Sequence, residues 1–568
     1  MSELEIKNLN ELLNFDDTKK KYIINKLLDS HNDIFIDNEN KIDISDDVYK
    51  DTGIDKWISK LPELDGSKEL INKLIHNPIS NLNKLVDRQQ SILKDYDVIS
   101  FKILKDYEDD ILWIYKLNDE ISKYNAINIL FPSSFLISFI NLYQPILDSY
   151  HLYKIFFIPL TSLIYPLTSI LAPYFYIKKY VSNISITYYF SLIKNFIILF
   201  FKNTGNFKLN LFKSIFFFIY LFLYLYNIYQ TFEFSALLYK TKQNLHKKMQ
   251  GLINFVNESN YIISDFDNSN NILKPFIKNS YKPFDISIYN TMTNIYSVWK
   301  DNNIKNNISK LLLTIYTYDI INAISKLKDE FNYSLPVYDT SLSTKIWNMK
   351  NPILSDTQIS NPISLEKNII ITGPNAAGKT TYVKSILSNI ILAQTFGIIY
   401  GSNAIINQYD SIYSFMRISD ELGTKSYFEA EAEYCLNMIK KASELSKQNK
   451  NALFLMDEPM HSTPPTEGLA TAYAVIENIG LNNNINLIIT THFYKLTSLE
   501  ETYPDNFINL HVEAIEKDDK FFFPYKIKKG SSYQCIAIEL LSKKHFPISV
   551  INSAINIKKK IYKDIISI

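Results

Sequence analysis

The spacing of apolar residues changes several times along the chain. Residues 1–123 place apolar residues at helical spacing among charged ones, and Gly66–Gln90 predicts two helices separated by a turn at Asn77-Pro78. Residues 233–345 show mixed helical patterns again, after an apolar block. Residues 346–568 open with Asn-Pro pairs and continue with short apolar runs that are typical of buried strands. We therefore predict an α+β, multidomain chain with a mostly helical N-terminal region and a C-terminal α/β domain.

The block at residues 124–232 has long uncharged runs. These runs are Tyr124–Leu147, Ile155–Ile177 and Ser214–Phe232, and each is close to the roughly 20 residues that cross a bilayer. The block has eight charged residues, and all but one are lysines, placed as membrane anchors often are: Asp148, Lys154, Lys178, Lys179, Lys194, Lys202, Lys208 and Lys213. We predict a transmembrane helical block with two to four segments.

Composition offers a second interpretation of this block. The chain is rich in Ile, Asn, Lys, Tyr and Phe, a bias typical of an AT-rich genome, and that bias alone inflates the apolar content of a buried helical core. Pro159, Pro166 and Pro173 also interrupt the second apolar run. However, the rest of the chain carries the same bias without losing its charges, which favours the membrane interpretation.

Charge and cysteine content exclude some classes of protein. The chain has 60 Lys+Arg and 59 Asp+Glu, so its net charge of +1 does not by itself indicate a nucleic-acid-binding protein. Cys435 and Cys535 are far apart, and neither belongs to a Cys/His cluster. We therefore expect neither a disulfide framework nor a zinc site, and a reducing compartment fits best.

A glycine-rich loop follows the first apolar run of the C-terminal region. Asn368–Thr372 predicts a buried strand, GPNAAGKT follows, and Thr381–Leu392 predicts a helix, which is the context that a GxxxxGK[ST] phosphate-binding loop requires. In such a loop Lys379 reaches the β- and γ-phosphates, the Thr380 hydroxyl binds Mg²⁺, and the helix N-terminus attracts the anion. The predicted nucleotide-binding residues are Gly373, Pro374, Asn375, Ala376, Ala377, Gly378, Lys379, Thr380 and Thr381.

Two later apolar runs deliver candidate catalytic side chains. The run at Ala452–Met456 leads to Asp457 and Glu458, of which the first can hold Mg²⁺ and the second can polarise the attacking water. A further run ends at Thr491 and His492. A lone histidine there would more often be structural, but beside a nucleotide it is a candidate γ-phosphate sensor. Together these segments predict an ATPase with ATP and Mg²⁺ as cofactors.

These motifs resemble those of the MutS family of mismatch-recognition ATPases. The family pattern TGPNxxGK[ST]T is matched by Thr372–Thr381, its Walker B acids by Asp457-Glu458, and its histidine loop by Thr491-His492. A family segment between the first two motifs is matched by Asp420, Gly423, Ser426, Phe428 and Glu431. The resemblance covers about 350–560, with a weaker match at 66–90 to the start of the family's lever domain.

The resemblance implies an ABC-type head, in which two ATPase domains enclose the nucleotide. A lever-like helical region precedes the ATPase domain in the chain. By this analogy Ser426 of one subunit acts in trans on the γ-phosphate held by the other, so a homodimer, or a heterodimer with a related ATPase, is expected. From the residues alone, Ser426 with Glu429 is also a helix-capping pair. The implied domains are 1–123 (core and lever), 124–232 (apolar block), 233–345 (lever return) and 346–568 (ATPase).

The chain departs from the family in ways that bear on function. Residues 459–465 read PMHSTPP where the family has LGRGTST, and Gln358 stands where the family stacks an aromatic ring on adenine. Residues 1–123 hold no Phe-x-Glu mismatch wedge, and the chain leaves no room for the mismatch-binding and connector domains. The apolar block lies where the family's DNA clamp belongs.

Two functions remain as hypotheses. The first is a dimeric, membrane-anchored ATPase whose head, on the cytoplasmic side, moves helical levers. The second is a MutS-type mismatch or branched-DNA repair ATPase, soluble in the cytoplasm or nucleus. DNA binding depends on phosphate neutralisation, which an apolar clamp does not supply, so charge does not support the second. An ABC exporter is disfavoured because the LSGGQ signature is absent.

Overall fold

A computed structural model describes most of the chain, and its residues form two compact units. The helical unit comprises Met1–Asp29, Lys102–Asp265 and Tyr281–Leu312, and the sheet unit comprises Ser30–Phe101, Phe266–Ser280 and Leu313–Ile568. Neither unit is continuous in sequence, and the four domain boundaries drawn from the sequence stay a prediction. The described residues are 15–37, 39–92, 101–116, 129–181, 183–202, 207–266, 273–276, 291–341, 343–355, 357–374, 377–416, 427–461, 464–517, 520–532, 534, 538, 541 and 544–566.

The helices are numbered in chain order. They are α1 (Asp17–Asp29), α2 (Asn32–Phe35), α3 (Asp46–Thr52), α4 (Ile54–Ile58), α5 (Asp65–Ile75), α6 (Leu82–Ile92), α7 (Lys102–Lys116), α8 (Gln144–Leu152), α9 (Ile158–Tyr180), α10 (Ile186–Phe201), α11 (Phe207–Phe266), α12 (Thr291–Lys300), α13 (Asn302–Phe331), α14 (Lys379–Phe396), α15 (Tyr427–Lys447), α16 (Pro465–Gly480), α17 (Leu499–Thr502) and α18 (Ile548–Ile566). Short 3-10 turns occupy Ser138–Leu142 and Tyr494–Ser498, and a π turn occupies Tyr153–Phe157.

The strands are likewise numbered in chain order. They are β1 (Asp43–Ile44), β2 (Val337–Tyr338), β3 (Lys345–Met349), β4 (Asn361–Ser364), β5 (Asn368–Thr372), β6 (Asn403–Ile406), β7 (Ser411–Phe415), β8 (Ala452–Asp457), β9 (Ile485–Thr490), β10 (Phe507–His511), β11 (Ile515–Lys517), β12 (Lys520–Phe522) and β13 (Lys528–Lys529).

Part of the helical unit has an ordinary buried core. Helix α7 buries Leu104, Ile111 and Leu112 on one face, because its apolar residues recur at helical spacing. Helix α1 packs on α7, and its buried Lys20 reaches the buried Glu108 at 3.5 Å. This part of the unit is therefore held together as a soluble helical bundle would be.

The rest of the helical unit exposes apolar side chains instead of burying them. In α8–α10 and the first half of α11, most large hydrophobic residues are exposed; Phe196 is 69% and Phe218 66% exposed. One helix, Phe207–Ser264, is long and apolar enough to cross a membrane. A pair bent by 64°, Gln144–Pro166 and Thr168–Tyr180, would make a second such segment. This finding rests on length and composition alone.

The sheet unit is built on a seven-stranded sheet with the order β1-β7-β8-β9-β5-β10-β13. All neighbouring pairs are parallel except β10 with β13. Strand β5 is buried along its whole length, and α15 and α16 pack on the sheet through a core that includes Phe454, Ile476 and Leu487. A four-stranded sheet, β2-β6-β3-β4, and the hairpin β11-β12 complete the unit.

Segments from the N-terminal half also belong to the sheet unit. Strand β1 extends the large sheet, pairing Asp43 with Ser411. The two helices expected within residues 66–90 are confirmed as α5 and α6, and both pack on α14. Buried Arg88 of α6 donates hydrogen bonds to the carbonyl oxygens of Thr395 and, at 3.1 Å, Pro275. Sequence segments far from the motifs thus support the helix that follows the glycine-rich loop.

Candidate active site

Three adjacent parallel strands end at the same edge of the large sheet. Strand β9 lies between β8 and β5, and the register pairs Thr490 with both Asp457 and Ile371. In open α/β sheets, ligands bind beyond the carboxyl ends of the strands. The predicted phosphate loop, acid pair and histidine therefore meet at one place.

The glycine-rich loop joins β5 to α14, as the sequence predicts. Gly373 has a φ of 139°, and a Cβ there would lie 2.4 Å from the carbonyl oxygen of Val512, so glycine is required. Lys379 is buried, and its Nζ donates to the carbonyl oxygen of Gly373 at 2.9 Å. Burial lowers the pKa of Lys379, against the opposing charges of Glu458 and Asp457.

The remaining residues of the predicted loop differ in burial and in backbone conformation. Ala377 is buried, Gly378 has a φ of 94°, and Thr381 is exposed at the first turn of α14. Pro374 lies beside Lys379, with its carbonyl oxygen 3.4 Å from Nζ. Asn375 and Ala376 lie outside the described residues.

The two predicted magnesium ligands are in contact. The Thr380 hydroxyl donates to Asp457 Oδ2 at 3.0 Å, and the Thr490 hydroxyl donates to Asp457 Oδ1. Hydroxyl and carboxylate oxygens are the ligands that Mg²⁺ prefers, and Mg²⁺ commonly takes only one or two from the protein. The donor set of Thr380 and Asp457 therefore fits this ion.

Glu458 and His492 form a close pair beside these residues. His492 Nε2 lies 2.6 Å from Glu458 Oε1, and this hydrogen bond lowers the pKa of the Glu458 carboxyl, although burial opposes it. Glu458 has a φ of 53° and Met460 a φ of 62°, in the left-handed region that non-glycine residues rarely adopt. Such strain concentrates at functional sites. Ser426, predicted to act in trans, lies outside the described residues.

A cavity of about 700 Å³ opens beside the loop. Lys379, Thr380 and Glu458 line it, together with aromatic and polar residues from the small sheet and the segment after β12. Gln358, expected from the family resemblance at the position of the stacking ring, accepts a hydrogen bond from the Asn351 N–H at 2.7 Å and donates one to the Asn351 carbonyl oxygen at 2.8 Å. Gln358 therefore braces a loop at the rim of the cavity.

Two aromatic residues that sequence reasoning missed also line this cavity. The rings of Phe523 and Tyr525 stack at 6.2 Å, and a Cβ on Gly378 would lie 3.0 Å from Tyr525 Cδ1. Asn361 holds the segment by donating to the Tyr525 carbonyl oxygen at 2.8 Å and accepting from the Ile527 N–H at 2.9 Å. The aromatic run at Phe521–Tyr525 was the available signal.

The segment that departs from the family after the acid pair is tied to helix α15. The His461 N–H donates to Glu431 Oε1 at 3.1 Å, and Glu431 is buried. Helix α16 then begins at Pro465, a position where proline is favoured because its missing N–H has no partner to lose. Ser462 and Thr463 lie outside the described residues.

The arrangement has the chemical parts that a nucleoside triphosphate requires. It combines a buried lysine, a loop preceding a helix N-terminus, oxygen ligands for a divalent ion, and a carboxylate that can orient water. The cavity volume is in the range of cofactor and ligand pockets. The roles of the individual residues stay predictions.

Comparison with known proteins identifies the same part of the chain. Residues 369–562 match the family model of MutS domain V. The DNA mismatch repair protein MutS of Acholeplasma laidlawii is 31% identical over 255 residues, which are 44% of this chain and 30% of that protein. The protein of the same name from a Geobacillus species is 26% identical over 255 residues, 44% of this chain and 29% of that protein.

A third relative gives the same result. The DNA mismatch repair protein MutS of Listeria monocytogenes is 25% identical over 265 residues, 45% of this chain and 30% of that protein. The chain thus spans about 30% of the length of these curated relatives. The C-terminal part of the chain is thus similar to domain V of the MutS family.

Proposed function

We propose that this chain is a Mg²⁺-dependent ATPase that works as a dimer and whose ATP cycle moves helices anchored in a membrane. The observation that carries the ATPase part is the meeting of Lys379, Thr380, Asp457, Glu458 and His492 at the carboxyl ends of three adjacent strands. The MutS domain V match over the same residues supports it.

Each residue has a distinct task in this proposal. Lys379 and the loop N–H groups bind the phosphates, and Thr380 and Asp457 would hold Mg²⁺, which neutralises charge on the phosphoryl oxygens when bound. Glu458 orients the attacking water through its ionised carboxylate. His492 keeps that carboxylate in place through the contact between them, and in this proposal it is the γ-phosphate sensor. Catalysis is then mostly positioning and electrostatic stabilisation.

Removing the lysine charge or the carboxylate tests the ATPase. We expect Lys379→Ala and Glu458→Gln each to lower steady-state ATP hydrolysis by at least about a hundredfold, as loss of a key electrostatic group does. Glu458→Gln should still bind ATP, because the phosphate loop is intact. Lys384→Ala, on the same helix α14 but away from the cavity lining, is the control. Wild-type turnover in either site variant refutes the assignment.

The dimer is supported by the family resemblance, and mixing two inactive chains tests it. A Ser426→Ala chain and a Glu458→Gln chain should each be inactive alone. If Ser426 acts in trans, each mixed dimer contains one intact site, so a 1:1 mixture recovers about a quarter of wild-type activity. No recovery in a mixture shown to exchange subunits contradicts the trans arrangement.

The membrane part rests on the exposed apolar surface of the helical unit. The described residues between 135 and 232 expose most of their large hydrophobic side chains, far more than a soluble protein leaves in water. The helix Phe207–Ser264 has the length and composition to span a bilayer. We place the ATPase domain on the cytoplasmic side, where ATP is available.

A second candidate function follows from the names of the relatives, which are DNA mismatch repair proteins. The matched residues cover only the C-terminal 44% or so of the chain. Filter binding of homoduplex, mismatched and branched DNA across salt concentrations separates the candidates, because DNA affinity falls steeply with salt when phosphates are neutralised. Mismatch-selective binding supports repair, and no binding at low salt excludes repair by direct recognition.

A further inference from the structure

Helix α10 contacts both α9 and α11 in the helical unit. Near its start, the Tyr189 hydroxyl donates to the Ile170 carbonyl oxygen of α9 at 2.6 Å. Because α9 ends at Tyr180, this contact shows that α10 doubles back along the last part of α9. At the other end of α10, the ring of Phe201 lies 5.2 Å from that of Phe217 of α11. The two ends of α10 are therefore attached to two different helices.

Two further contacts hold α9, with the turn before it, antiparallel to α11. The Ser235 hydroxyl donates to the Ile155 carbonyl oxygen, and the Tyr224 hydroxyl donates to the Ser162 carbonyl oxygen at 3.3 Å. Both acceptors lack their usual helical partner, because a proline stands four residues after each of them and has no N–H. Such carbonyl oxygens need a donor in lipid, so these hydroxyls keep the two helices paired.

These contacts give the heights at which α10 is attached. From Ser235 to Phe217, α11 rises about 27 Å, which is close to the thickness of the hydrocarbon core of a bilayer. From Ile155 to Ile170, the rise along the same direction is about 20 Å, because the second half of α9 is bent by 64°. The two ends of α10 therefore lie at similar heights. The helix crosses from α9 to α11 instead of running beside them through the whole apolar layer.

The sequence of α10 also fits a helix that lies in a membrane interface. Its 16 residues are about 24 Å long, less than the roughly 30 Å of the hydrocarbon core. Thr187, Ser191, Lys194 and Asn195 recur at helical spacing, and all four are exposed. They form a polar stripe along an otherwise apolar helix. A spanning α10 would hold Lys194 near the middle of the bilayer, which is costly.

Six lysines lie on α10 and on the neighbouring parts of α9 and α11. They are Lys178, Lys179, Lys194, Lys202, Lys208 and Lys213. The chain has no Asp or Glu between Asp148 and Glu233, so no acid within this segment neutralises them. Lys213 Nζ lies 5.7 Å from the centre of the Phe200 ring, as a lysine does when its stem follows an apolar surface. This end of the helical unit thus combines positive charge with exposed apolar side chains.

We propose that α10 and the lysines around it bind anionic phospholipid headgroups, with α10 lying flat in the headgroup layer at the bilayer face opposite Ser235. The bilayer is then crossed twice, by α9 and by α11, and α10 joins the two crossings. Each lysine near an anionic surface adds electrostatic attraction. Nucleic acid would also attract these charges, but it would leave the apolar side chains around them in water. The inference rests on the proposed membrane anchoring.

Cysteine labelling of the full chain in phosphatidylglycerol vesicles tests the position of α10. The two native cysteines are replaced by Ser, and Lys194→Cys meets a membrane-impermeant maleimide on both sides of the vesicles. Leu225→Cys, in the middle of the apolar run of α11, is the control. Lys194→Cys should be labelled about tenfold faster or more, because maleimide reacts with a thiolate in water. Equal protection of both cysteines would show that α10 spans the bilayer and would overturn its placement.

Thermal unfolding of the full chain in mild detergent tests the lipid class. Phosphatidylglycerol should stabilise the chain at lower concentration than phosphatidylcholine, since a ligand stabilises the state that binds it. Lys178→Gln combined with Lys179→Gln should raise the half-maximal phosphatidylglycerol concentration about 25-fold, which is about fivefold for each lysine. Lys440→Gln combined with Lys447→Gln changes two exposed lysines of α15, and this matched control should leave the concentration unchanged.

Two results would overturn the lipid assignment. One is equal stabilisation by the two lipids that does not change when Lys178 and Lys179 are replaced. The other is displacement of the lipid by duplex DNA at low salt that depends on the same two lysines, which would make this end of the unit a nucleic-acid surface.

Carbonate extraction of membranes keeps this inference separate from the proposed anchoring. A chain that resists carbonate but protects Lys194→Cys would keep the anchoring and refute the placement of α10. A wild-type chain that carbonate extracts, but that still sediments with phosphatidylglycerol vesicles through Lys178 and Lys179, would refute the anchoring and leave the lipid surface standing.

Discussion

The carboxyl group of Asp319 is buried, and it binds the backbone at the N-terminal end of helix α5. It accepts hydrogen bonds from the Leu64 N–H at 3.0 Å and the Glu63 N–H at 3.3 Å, immediately before the start of α5. Burial raises the pKa of Asp319 to about 6, against these hydrogen bonds. The folded state therefore holds this proton more tightly than the unfolded chain does.

This shift predicts that the sheet unit loses stability as pH rises through the interval from about 4 to 6. A raised carboxyl pKa favours the folded state at low pH and loses that advantage once the folded group ionises, by up to about 3 kcal/mol. Denaturant unfolding at pH 4.5 and 7 measures the effect. Asp319→Asn should flatten the dependence, and Asp329→Asn, exposed on the same helix, should not. An identical pH dependence in Asp319→Asn contradicts the assignment.

In the proposed ATPase, Tyr525 is our candidate for the residue that stacks on the nucleotide base. Gln358 is turned to the backbone of its own loop, and Tyr525 is one of the aromatic residues that line the cavity. Tyr525→Ala should raise the KM for ATP about tenfold and leave kcat almost unchanged, because one stacked ring contributes about 1–3 kcal/mol. Tyr525→Phe keeps the ring and should behave as wild type. A fall in kcat at constant KM would assign Tyr525 to the chemistry instead.

At the scale of elements, close packing of helices α5 and α13 depends on one glycine. A Cβ on Gly66 would lie 2.0 Å from Tyr316 Cζ, and Tyr316 is fully buried. We expect Gly66→Ala to destabilise the sheet unit by about 1–3 kcal/mol, as overpacking does. In a Tyr316→Leu background the same change should cost little, because the ring is gone. Equal costs in both backgrounds, measured by denaturant unfolding, would contradict the packing argument.

The elements around the site were predictable because their signals are local. Asn368–Thr372 is the predicted strand without change, and the helix after the loop begins at Lys379 rather than Thr381 and runs on to Phe396. Asp457 ends β8 and Glu458 follows it, and His492 comes shortly after β9, as their apolar runs indicate. A short run of consecutive apolar residues, rich in β-branched types, predicts a buried strand, and a charged residue at its end is then expected at the edge of the sheet.

Other elements were not predictable because long-range contacts place them. Strand β1 is short, and its pairing with β7 joins Asp43 to Ser411 across most of the chain. Tyr525 is held at the cavity because its carbonyl oxygen accepts a hydrogen bond from Asn361, which lies on the four-stranded sheet and far away in sequence. Gln358 looks like a substituted stacking residue in the sequence, and only its bonds to Asn351 show its role as a brace. No local sequence pattern predicts such long-range contacts.

At the scale of the whole molecule, the membrane proposal makes the apolar block at residues 124–232 the part that determines where the chain resides. We expect the full chain to stay in the membrane pellet after carbonate extraction, since its exposed apolar helices have no other cover. Deleting residues 124–232 should release it. Replacing Phe218 and Phe222 by Asp should also release it, with Glu258→Asp, on the same helix beyond the apolar run, as the control. A wild-type chain found only in the soluble fraction would contradict the membrane proposal.

Helix α11 is continuous over 60 residues, from the apolar run into the charged part of the chain. Each residue of an α-helix adds about 1.5 Å of height and turns the following side chains by about 100°. A one-residue insertion near Phe232 would therefore redirect Tyr239 and Lys247 by more than a quarter-turn. An insertion of eighteen residues, about five whole turns, would preserve their direction and only raise them. In a continuous helix, the number of inserted residues therefore sets both the direction in which the following side chains point and their distance along the helix axis.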